Sequence, residues 1–376
     1  MINPIYVTQP ALPELQDMCT MLEKIWQSKQ LSNHGQMVRQ LENKLASYLG
    51  NDNLSVFANG TIALQIACKT LDLRGEVITT PFTFAATAHA LAWSGIRPVF
   101  CDIEEDSFTL DPNHLEALIT EETTGILPVH VFGNPCQIGK IEAIAAQYKL
   151  KTLYDAAHAF GVKASGRPIG SYGDISMFSF HATKVFHTVE GGALSFKDPA
   201  LKKRADRLRN FGLNDDNLVS EPGTNGKMNE IQAAVGLLLL ETVTEEIEKR
   251  KVLITLYHQL LSNIPGIRMI LPQIDITPNY PYCVIRIDSR EFGLTRDALY
   301  QELMTRNIFS RKYFYPLCSN FGCYRSLPSA SLNHLPIANR VADSVLSLPL
   351  YGNLAESDVA RICDIIRKIS KQRQIK

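Results

Sequence analysis

The chain has 376 residues, of which 45% are hydrophobic and 20% are charged, and 38 Lys and Arg balance 38 Asp and Glu. Zero formal charge without a basic run argues against a nucleic-acid partner. No apolar stretch is long enough to cross a membrane, and the first residues do not resemble a signal peptide. We therefore expect a cytoplasmic protein with no membrane partner and, at this length, two domains.

Short apolar runs alternate with helical patterns over the first half of the chain. The runs that we predict to be strands are 55–58, 76–80, 97–101, 125–129, 151–155, 173–180 and 193–196. Helical segments are predicted near 61–70, 84–94, 113–119 and 138–149. This alternation predicts an α/β fold with a mostly parallel central sheet and helices on both faces. Ligands of such sheets bind at the carboxyl ends of the strands.

Two early strand ends carry candidate ligand contacts. Gly60 and Thr61 follow the first strand, at the start of a helix whose free N–H groups could seat a phosphate. An ordinary N-cap is the competing interpretation. Phe84 follows the second strand, where it could stack on a planar ligand or belong to the core.

The fifth strand ends at Asp155, and His158 follows three residues later. A carboxylate at the buried end of a parallel strand is unfavourable unless it meets a cation, and a pyridinium nitrogen would be such a cation. His158 could then hydrogen-bond a substituent of the ring. Alternatively, Asp155 caps the next helix and His158 is an interior histidine with satisfied nitrogens.

Lys184 lies between the last two predicted strands, at the end of the segment Ser179-Phe180-His181-Ala182-Thr183-Lys184. An amine between buried strands with few counter-charges should lose its proton readily and attack carbonyl groups, which is the chemistry of a Schiff-base lysine. The alternative is a turn lysine with its amine in water.

The cysteines form neither a CxxC pair nor a zinc-ligand spacing. They occupy positions 19, 68, 101, 136, 283, 318, 323 and 363. We predict reduced core thiols and no metal site.

Ordered sequence blocks give the chain a specific resemblance. The blocks are Asn59–Leu64, Gly75–Pro81, Ala92–Asp102, Leu127–Gly133, Tyr154–Ala159, Ser179–Lys184, Glu190–Gly192 and Met228–Ala234. Together they resemble the DegT/StrS family of sugar aminotransferases, which depend on pyridoxal 5'-phosphate, over nearly the whole length. The resemblance implies the type I fold of pyridoxal-phosphate-dependent transferases, with a smaller C-terminal α/β domain.

The resemblance also implies roles for individual residues. The positions matched to cofactor contacts are Gly60, Thr61, Phe84, Asp155, His158, Ser179, Lys184 and Asn225. Lys184 is implied to be the Schiff-base lysine and proton shuttle, and Asp155 the partner of the pyridine nitrogen. Asn225 matches an asparagine that reaches the phosphate from the neighbouring subunit, which implies a homodimer with shared active sites.

Two positions depart from the family pattern. His158 stands where many members carry glutamine, and either side chain can donate a hydrogen bond to the phenolic oxygen of the cofactor. Asn225-Gly226-Lys227-Met228 stands where many members read Asn-Tyr-Arg-Met. The family's substrate contacts therefore do not transfer directly to this segment.

Further blocks resemble the family members that form dTDP-4-amino-4,6-dideoxyglucose, among them Val7–Pro10, Ser32–Gly35 and Arg311–Leu317. The expected reaction moves an amino group from L-glutamate to dTDP-4-keto-6-deoxy-D-glucose, for O-antigen or lipopolysaccharide synthesis. Amination at C3 of a related dTDP-3-keto-6-deoxy sugar is the alternative. A cofactor-binding sensor without turnover is a candidate from another class. A nicotinamide dehydrogenase would need a GxGxxG turn after the first strand, where this chain has none.

The sequence also predicts a domain organisation and a set of substrate contacts. We expect an N-terminal arm over 1–35, a large cofactor-binding domain over 36–250 and a small domain over 251–376. The candidate sugar-nucleotide contacts are Asn33, His34, Arg311, Lys312 and Tyr313, and a solvated turn would explain each of them equally well. Glu104–Asp106 is predicted to be a solvated acidic loop.

Overall fold

The computed structural model describes residues 3–374, so the outermost two residues of the predicted arm and of the predicted small domain lie outside the described residues. The helices are α1 Leu15–Ser28, α2 Gln36–Leu49, α3 Gly60–Thr70, α4 Ala85–Trp93, α5 Leu115–Leu118, α6 Ile138–Tyr148, α7 Pro199–Leu208, α8 Glu230–Leu261, α9 Ser289–Phe292, α10 Arg296–Met304, α11 Pro336–Ser344 and α12 Glu356–Gln374. The strands are β1 Leu54–Phe57, β2 Glu76–Thr79, β3 Arg97–Phe100, β4 Thr123–Leu127, β5 Lys151–Asp155, β6 Lys163–Ala164, β7 Arg167–Pro168, β8 Ile175–Ser179, β9 Gly192–Phe196, β10 Ile267–Met269, β11 Ile276–Thr277, β12 Cys283–Ile287 and β13 Val345–Leu348.

A seven-stranded sheet forms the centre of the large domain, in the order β1-β9-β8-β5-β4-β2-β3. Strands β8, β5, β4, β2 and β3 pair in parallel with one another. β9 is antiparallel to both of its neighbours, β1 and β8. The predicted mostly parallel sheet is confirmed, and the carboxyl ends of β5 and β8 lie side by side with Asp155 paired to Met177.

Helices cover both faces of this sheet, as predicted. On one face, Leu41 of α2 and Ile141 of α6 share a buried cluster with the first turns of α8. On the other face, Leu64 of α3, Leu91 of α4 and Leu208 of α7 pack together. Because both faces are covered, the central strands are buried along nearly their full length.

Helix α8 has 32 residues and belongs to two cores. Its first half packs against the large sheet, while Leu253 and Tyr257 lie in the core of a three-stranded sheet, β10-β12-β13, together with α12. The predicted domain boundary at residue 250 therefore falls inside a continuous helix. Neither α8 nor any other helix within residues 3–374 is long and apolar enough to cross a membrane.

The predicted segment 113–119 is not one regular helix. A 3-10 turn over Pro112–His114 leads into the single turn of α5, and the backbone becomes extended at Ile119. Two β-branched residues, Ile119 and Thr120, follow that turn, and such residues favour extended backbone over helix. The other three predicted helices are confirmed as α3, α4 and α6.

Glu105 of the predicted solvated acidic loop is partly exposed but also forms two ion pairs. Its carboxylate lies 2.7 Å from Arg286 of β12 and 2.7 Å from Arg340 of α11. The sequence places these arginines more than a hundred residues away, so the loop composition alone could not show the contact. Glu105 thus joins the large domain to the C-terminal part of the chain.

The cysteines are all free, but two of them are not core thiols. Cys19 and Cys323 are exposed, whereas the other six are buried as predicted. Cys19 lies on the outer side of α1 and Cys323 in the irregular segment before α11, where the sequence carries no regular apolar period.

Candidate active site

A cavity of about 550 Å³ opens where β1, β5 and β8 end at one edge of the sheet. Its lining includes the predicted cofactor contacts Gly60, Thr61, Phe84, Asp155, His158, Ser179 and Lys184. Two of the predicted substrate contacts, Arg311 and Tyr313, also line it. Residues as far apart in the sequence as Gly60 and Tyr313 therefore line one cavity.

The N-terminus of α3 forms one wall of the cavity. The Asn59 side chain is the N-cap and accepts a 2.9 Å hydrogen bond from the Ile62 N–H, so the helix has an ordinary cap one residue before Gly60 and Thr61. The N–H groups of Gly60 and Thr61 lie in the first turn and have no acceptor within the helix. A Cβ on Gly60 would lie 3.2 Å from Ser179, so glycine lets α3 begin close to β8.

Phe84 is 57% exposed and immediately precedes α4. The alternative that it is a core aromatic is therefore wrong. An exposed ring at the cavity wall is suited to cover the face of a planar ligand.

Asp155 is only 4% exposed. Its carboxylate accepts hydrogen bonds from Thr87 Oγ1 at 2.8 Å and from the Ala157 N–H at 3.0 Å. Burial raises the pKa of Asp155, opposed by these two hydrogen bonds and by the charge of Lys184. No basic group lies within 4 Å of Asp155 among residues 3–374, so the buried carboxylate lacks a cation and can accept one from a ligand.

His158 is 6% exposed, and its Nδ1 accepts a 3.2 Å hydrogen bond from the Phe132 N–H. Burial lowers the pKa of His158 well below the usual histidine value, and Lys184 lowers it further. The ring is thus neutral with its proton on Nε2. Its second nitrogen is therefore a hydrogen-bond donor.

Lys184 lies in the turn between β8 and β9, and its Nζ is 3.5 Å from the Tyr282 hydroxyl. Burial lowers the pKa of Lys184, opposed by Tyr313 and Asp155. The alternative of a turn lysine with its amine in water is wrong. A lysine with a lowered pKa presents a larger fraction of neutral, nucleophilic amine.

One cavity thus contains a nucleophilic lysine, a buried acid and a helix start suited to bind an anion. Comparison of the sequence with known protein families agrees with that chemistry. The model of the DegT/DnrJ/EryC1/StrS aminotransferase family matches residues 14–367. The chain belongs to this family. It is therefore an aminotransferase, and pyridoxal 5'-phosphate is its cofactor.

Named relatives in the family are similar over almost their full length. A dTDP-4-amino-4,6-dideoxy-D-glucose transaminase of Escherichia coli is 47% identical, covering 96% of this chain and 98% of the relative. A transaminase of the same name from Shigella dysenteriae is 44% identical, covering 98% of this chain and 100% of the relative.

Solved structures of the family share the fold. DesI, crystallised in the presence of its TDP-sugar product, superposes with a TM-score of 0.95 at 35% identity, over 100% of this chain and 95% of that one. PseC, the Helicobacter pylori aminotransferase involved in pseudoaminic acid biosynthesis, gives 0.91 at 27% identity, over 98% and 100%. The predicted fold class is confirmed.

The cavity of this DegT/DnrJ/EryC1/StrS aminotransferase fits its cofactor. Asp155 supplies a buried carboxylate without a cation, which a protonated pyridine nitrogen would pair. The start of α3 supplies free N–H groups for a phosphate. Lys184, which lines the same cavity, would supply the amine for the cofactor aldehyde.

Three predicted contacts lie outside this cavity. Asn33 and His34 border a second cavity of about 370 Å³, together with Lys227. His34 Nε2 is bound at 2.7 Å by Glu42. Lys312 Nζ instead lies 3.0 Å from Asp297. Lys312 therefore separates from Arg311 and Tyr313, in a segment whose backbone is irregular.

Asn225 also lies away from the cavity of its own chain. It precedes Lys227 by two residues, and its backbone bridges to that of Asn210. This position is compatible with a contact to another subunit. The assignment of Asn225 to the phosphate stays a prediction.

The sequence analysis missed two cavity residues that contact the key groups. Thr87 binds Asp155, and Tyr282 contacts Lys184. Thr87 lies in the first turn of α4, while Thr83 lies just before the helix, and the sequence carried no signal that joined either hydroxyl to Asp155. Tyr282 precedes β12 and carried no signal, because it lies 98 residues from Lys184.

Proposed function

We propose that this aminotransferase transfers the amino group of L-glutamate to dTDP-4-keto-6-deoxy-D-glucose, giving dTDP-4-amino-4,6-dideoxy-D-glucose. The observation that carries the proposal is that Lys184, Asp155 and the start of α3 line one cavity. The sugar assignment is supported by the names of the Escherichia coli and Shigella dysenteriae relatives, at 47% and 44% identity.

Four residues of the cavity are proposed to position the cofactor. Gly60, Thr61 and Ser179 hold the cofactor phosphate, and Phe84 covers one face of its ring. When bound, pyridoxal 5'-phosphate withdraws electrons from the carbon that bears the amine. These contacts would hold the cofactor in the cavity that Lys184 also lines.

Three further side chains handle protons. Asp155 keeps the ring nitrogen protonated, because its carboxylate is buried and fixed by two hydrogen bonds. His158 donates its Nε2–H to the phenolic oxygen. Lys184 Nζ takes the proton from Cα of the amino-acid donor and gives a proton back later in the transfer.

We further propose a cytoplasmic homodimer with shared active sites, which supplies an amino sugar for O-antigen or lipopolysaccharide synthesis. Asn33, His34 and Lys227 border one cavity near Asn225, on a surface outside the cofactor cavity. Exposed apolar side chains flank that surface, including Leu31, Phe211, Leu218 and Val219. Exposed apolar groups of this kind mark a contact with another chain. Asn225 would reach the phosphate held by the partner.

A spectroscopic titration tests the proposed reaction. The purified protein is loaded with cofactor, and its near-visible absorbance is followed on adding glutamate and then the dTDP-4-keto sugar. We expect the band to bleach with glutamate and to return with the sugar, while nuclear magnetic resonance of the product locates nitrogen at C4. Lys184→Ala should show neither change.

Other outcomes point to the alternatives. A product carrying nitrogen at C3 would favour the C3-aminating enzyme. A band that ignores every amino donor would favour a cofactor-binding sensor. A protein that binds no cofactor would overturn the assignment.

A further inference from the structure

Tyr282 contacts the reacting amine. Its hydroxyl lies 3.5 Å from Lys184 Nζ, and the side chain lines the same cavity. Among residues 3–374, Lys184 is the hydrogen-bond partner of this hydroxyl. Buried polar groups usually have a hydrogen-bond partner, and for this hydroxyl that partner is the amine proposed to react.

The ring of Tyr282 is held in place by its neighbours. It lies edge-on to His158 at 4.9 Å between ring centroids and edge-on to Tyr313 at 5.4 Å. Phe132 packs against it at 5.4 Å. Edge-to-face contacts of this kind restrict the ring, so the hydroxyl is directed at Lys184 before any ligand binds.

We propose that Tyr282 is a catalytic residue, whose hydroxyl oxygen accepts an N–H of Lys184 and thereby orients the amine for proton transfer. The inference rests on the proposed aminotransferase function. A neutral amine has two N–H donors and one lone pair. If Tyr282 accepts one N–H, the lone pair faces the cavity, where the donor Cα must lie.

The hydroxyl also matches the charge that develops during the step. The proton leaves Cα of the donor for the Lys184 lone pair, and the electron pair of the C–H bond stays with the substrate. Lys184 becomes an ammonium, and the Tyr282 oxygen accepts its N–H more strongly than that of the amine. Interactions that strengthen in the transition state accelerate the step.

Tyr313 is the nearest alternative for this role. It contacts the Arg311 guanidinium, whose central carbon lies 4.9 Å from the ring centroid. Its hydroxyl has no hydrogen bond to Lys184 within residues 3–374. Tyr282 is therefore the tyrosine that touches the reacting nitrogen.

Tyr282→Phe tests the role, since it removes one oxygen and keeps the ring contacts. The matched control is Tyr257→Phe, which removes a buried hydroxyl bound to Pro349 O at 2.9 Å in the small-domain core. Single-turnover reaction with glutamate should slow roughly tenfold to a hundredfold in Tyr282→Phe, the effect of one hydrogen bond to a charged group. The primary isotope effect with C2-deuterated glutamate should increase, while KM for glutamate and cofactor affinity stay within about twofold.

A second readout avoids turnover. In cofactor-free protein at neutral pH, acetic anhydride should label Lys184 faster in Tyr282→Phe than in Tyr257→Phe, because the ammonium has lost its acceptor. The other groups that face Lys184 remain in both variants: Asp155, His158, Tyr313, His181, Glu190 and Arg311.

Each result has a defined meaning. Slower transfer with a larger isotope effect and faster labelling supports the proposal. Equal rates and equal labelling in the two variants overturn it. If the wild-type protein ignores glutamate, the proposed donor fails, and the labelling ratio alone then decides the Tyr282 contact.

Discussion

Thr87 Oγ1 lies 2.8 Å from the Asp155 carboxylate, and the hydroxyl of Thr83 lies 2.8 Å from Thr87 Oγ1. Both threonines are buried, at 1% and 3% exposure. The acid proposed to meet the cofactor nitrogen is thus held by a side chain of α4, the helix that follows Phe84. The segment after β2 therefore carries both Phe84 and the two linked threonines, of which Thr87 binds the Asp155 carboxylate.

Thr87→Val should weaken cofactor binding and slow transfer. The variant keeps the β-branched shape but removes the hydroxyl donor to Asp155, which retains only the Ala157 N–H. Unfolding should be favoured by about 1–3 kcal/mol. Cofactor affinity is measured by absorbance titration and stability by urea unfolding of the cofactor-free protein.

Two companion variants separate the local effect from general destabilisation. Thr87→Ser restores the donor and should recover cofactor affinity. Thr79→Val removes another buried hydroxyl, one that donates to Leu127 O at 2.7 Å, and should lower stability without changing affinity. Equal affinity in all three variants would contradict the role of Thr87.

Asp155→Asn should make the cofactor-free protein less sensitive to rising pH. Burial raises the pKa of Asp155, so the native state holds this proton more tightly than the unfolded chain does. The resulting stability is present below the unfolded pKa of about 4 and falls as pH rises through the folded value. Asparagine does not titrate, so the fall should shrink, whereas transfer by the loaded protein should be lost.

Urea unfolding of both cofactor-free proteins from pH 4 to pH 8 measures this difference. Asp174→Asn is a suitable control, since that carboxylate binds the Thr152 N–H at 2.9 Å away from the cavity. An unchanged pH slope in Asp155→Asn would mean that burial does not destabilise the carboxylate.

Much of the cofactor site could be predicted from the sequence because its residues follow strands. Apolar runs identify β1, β5 and β8, and parallel strands bring their carboxyl ends to one edge. Lys184 and Asp155 were therefore expected to meet. Phe84 could not be decided, because residue type alone does not separate an exposed ring from a core ring.

The rest of the site depends on contacts between distant segments. Tyr282 meets Lys184 across 98 residues, and its own segment indicates only a core strand. Lys312 carries the same charge as Arg311 but lies on the other side of its segment, at Asp297. Side-chain direction in irregular backbone has no period, so sequence could not separate these two residues.

Glu42→Gln should destabilise the protein at neutral pH by about 3 kcal/mol. Burial would raise the pKa of Glu42, but Arg209 at 2.8 Å and His34 overcome it and hold the value at about 2. A lowered carboxyl pKa gives stability that is present above the unfolded value of 4.5 and is lost as pH falls toward 2. The variant should lack this pH-dependent part of the free energy of unfolding.

Thermal unfolding between pH 2 and pH 7 checks the expectation. Glu241→Gln is the control, because its ion pair with Lys44 is exposed on both sides and should contribute less than about 1 kcal/mol. Similar losses in the two variants would show that the buried pair contributes no more than a surface pair.

Mixed dimers test whether two subunits share each site. A dimer of one Lys184→Ala chain and one Asn225→Ala chain contains one site with both residues intact, if Asn225 acts on the partner's cofactor. Co-expression with two different affinity tags isolates such dimers. Their transfer activity should exceed that of both parent homodimers.

The control pairs Lys184→Ala with Asp155→Asn, because these two residues line the cavity of the same chain. That mixed dimer has no intact site and should recover no activity. Recovery in both mixtures would mean that Asp155 or Lys184 also acts across the subunit interface. Recovery in neither would place Asn225 in the site of its own chain or outside the site, and the shared-site proposal would then fail while the roles of Lys184 and Asp155 stand.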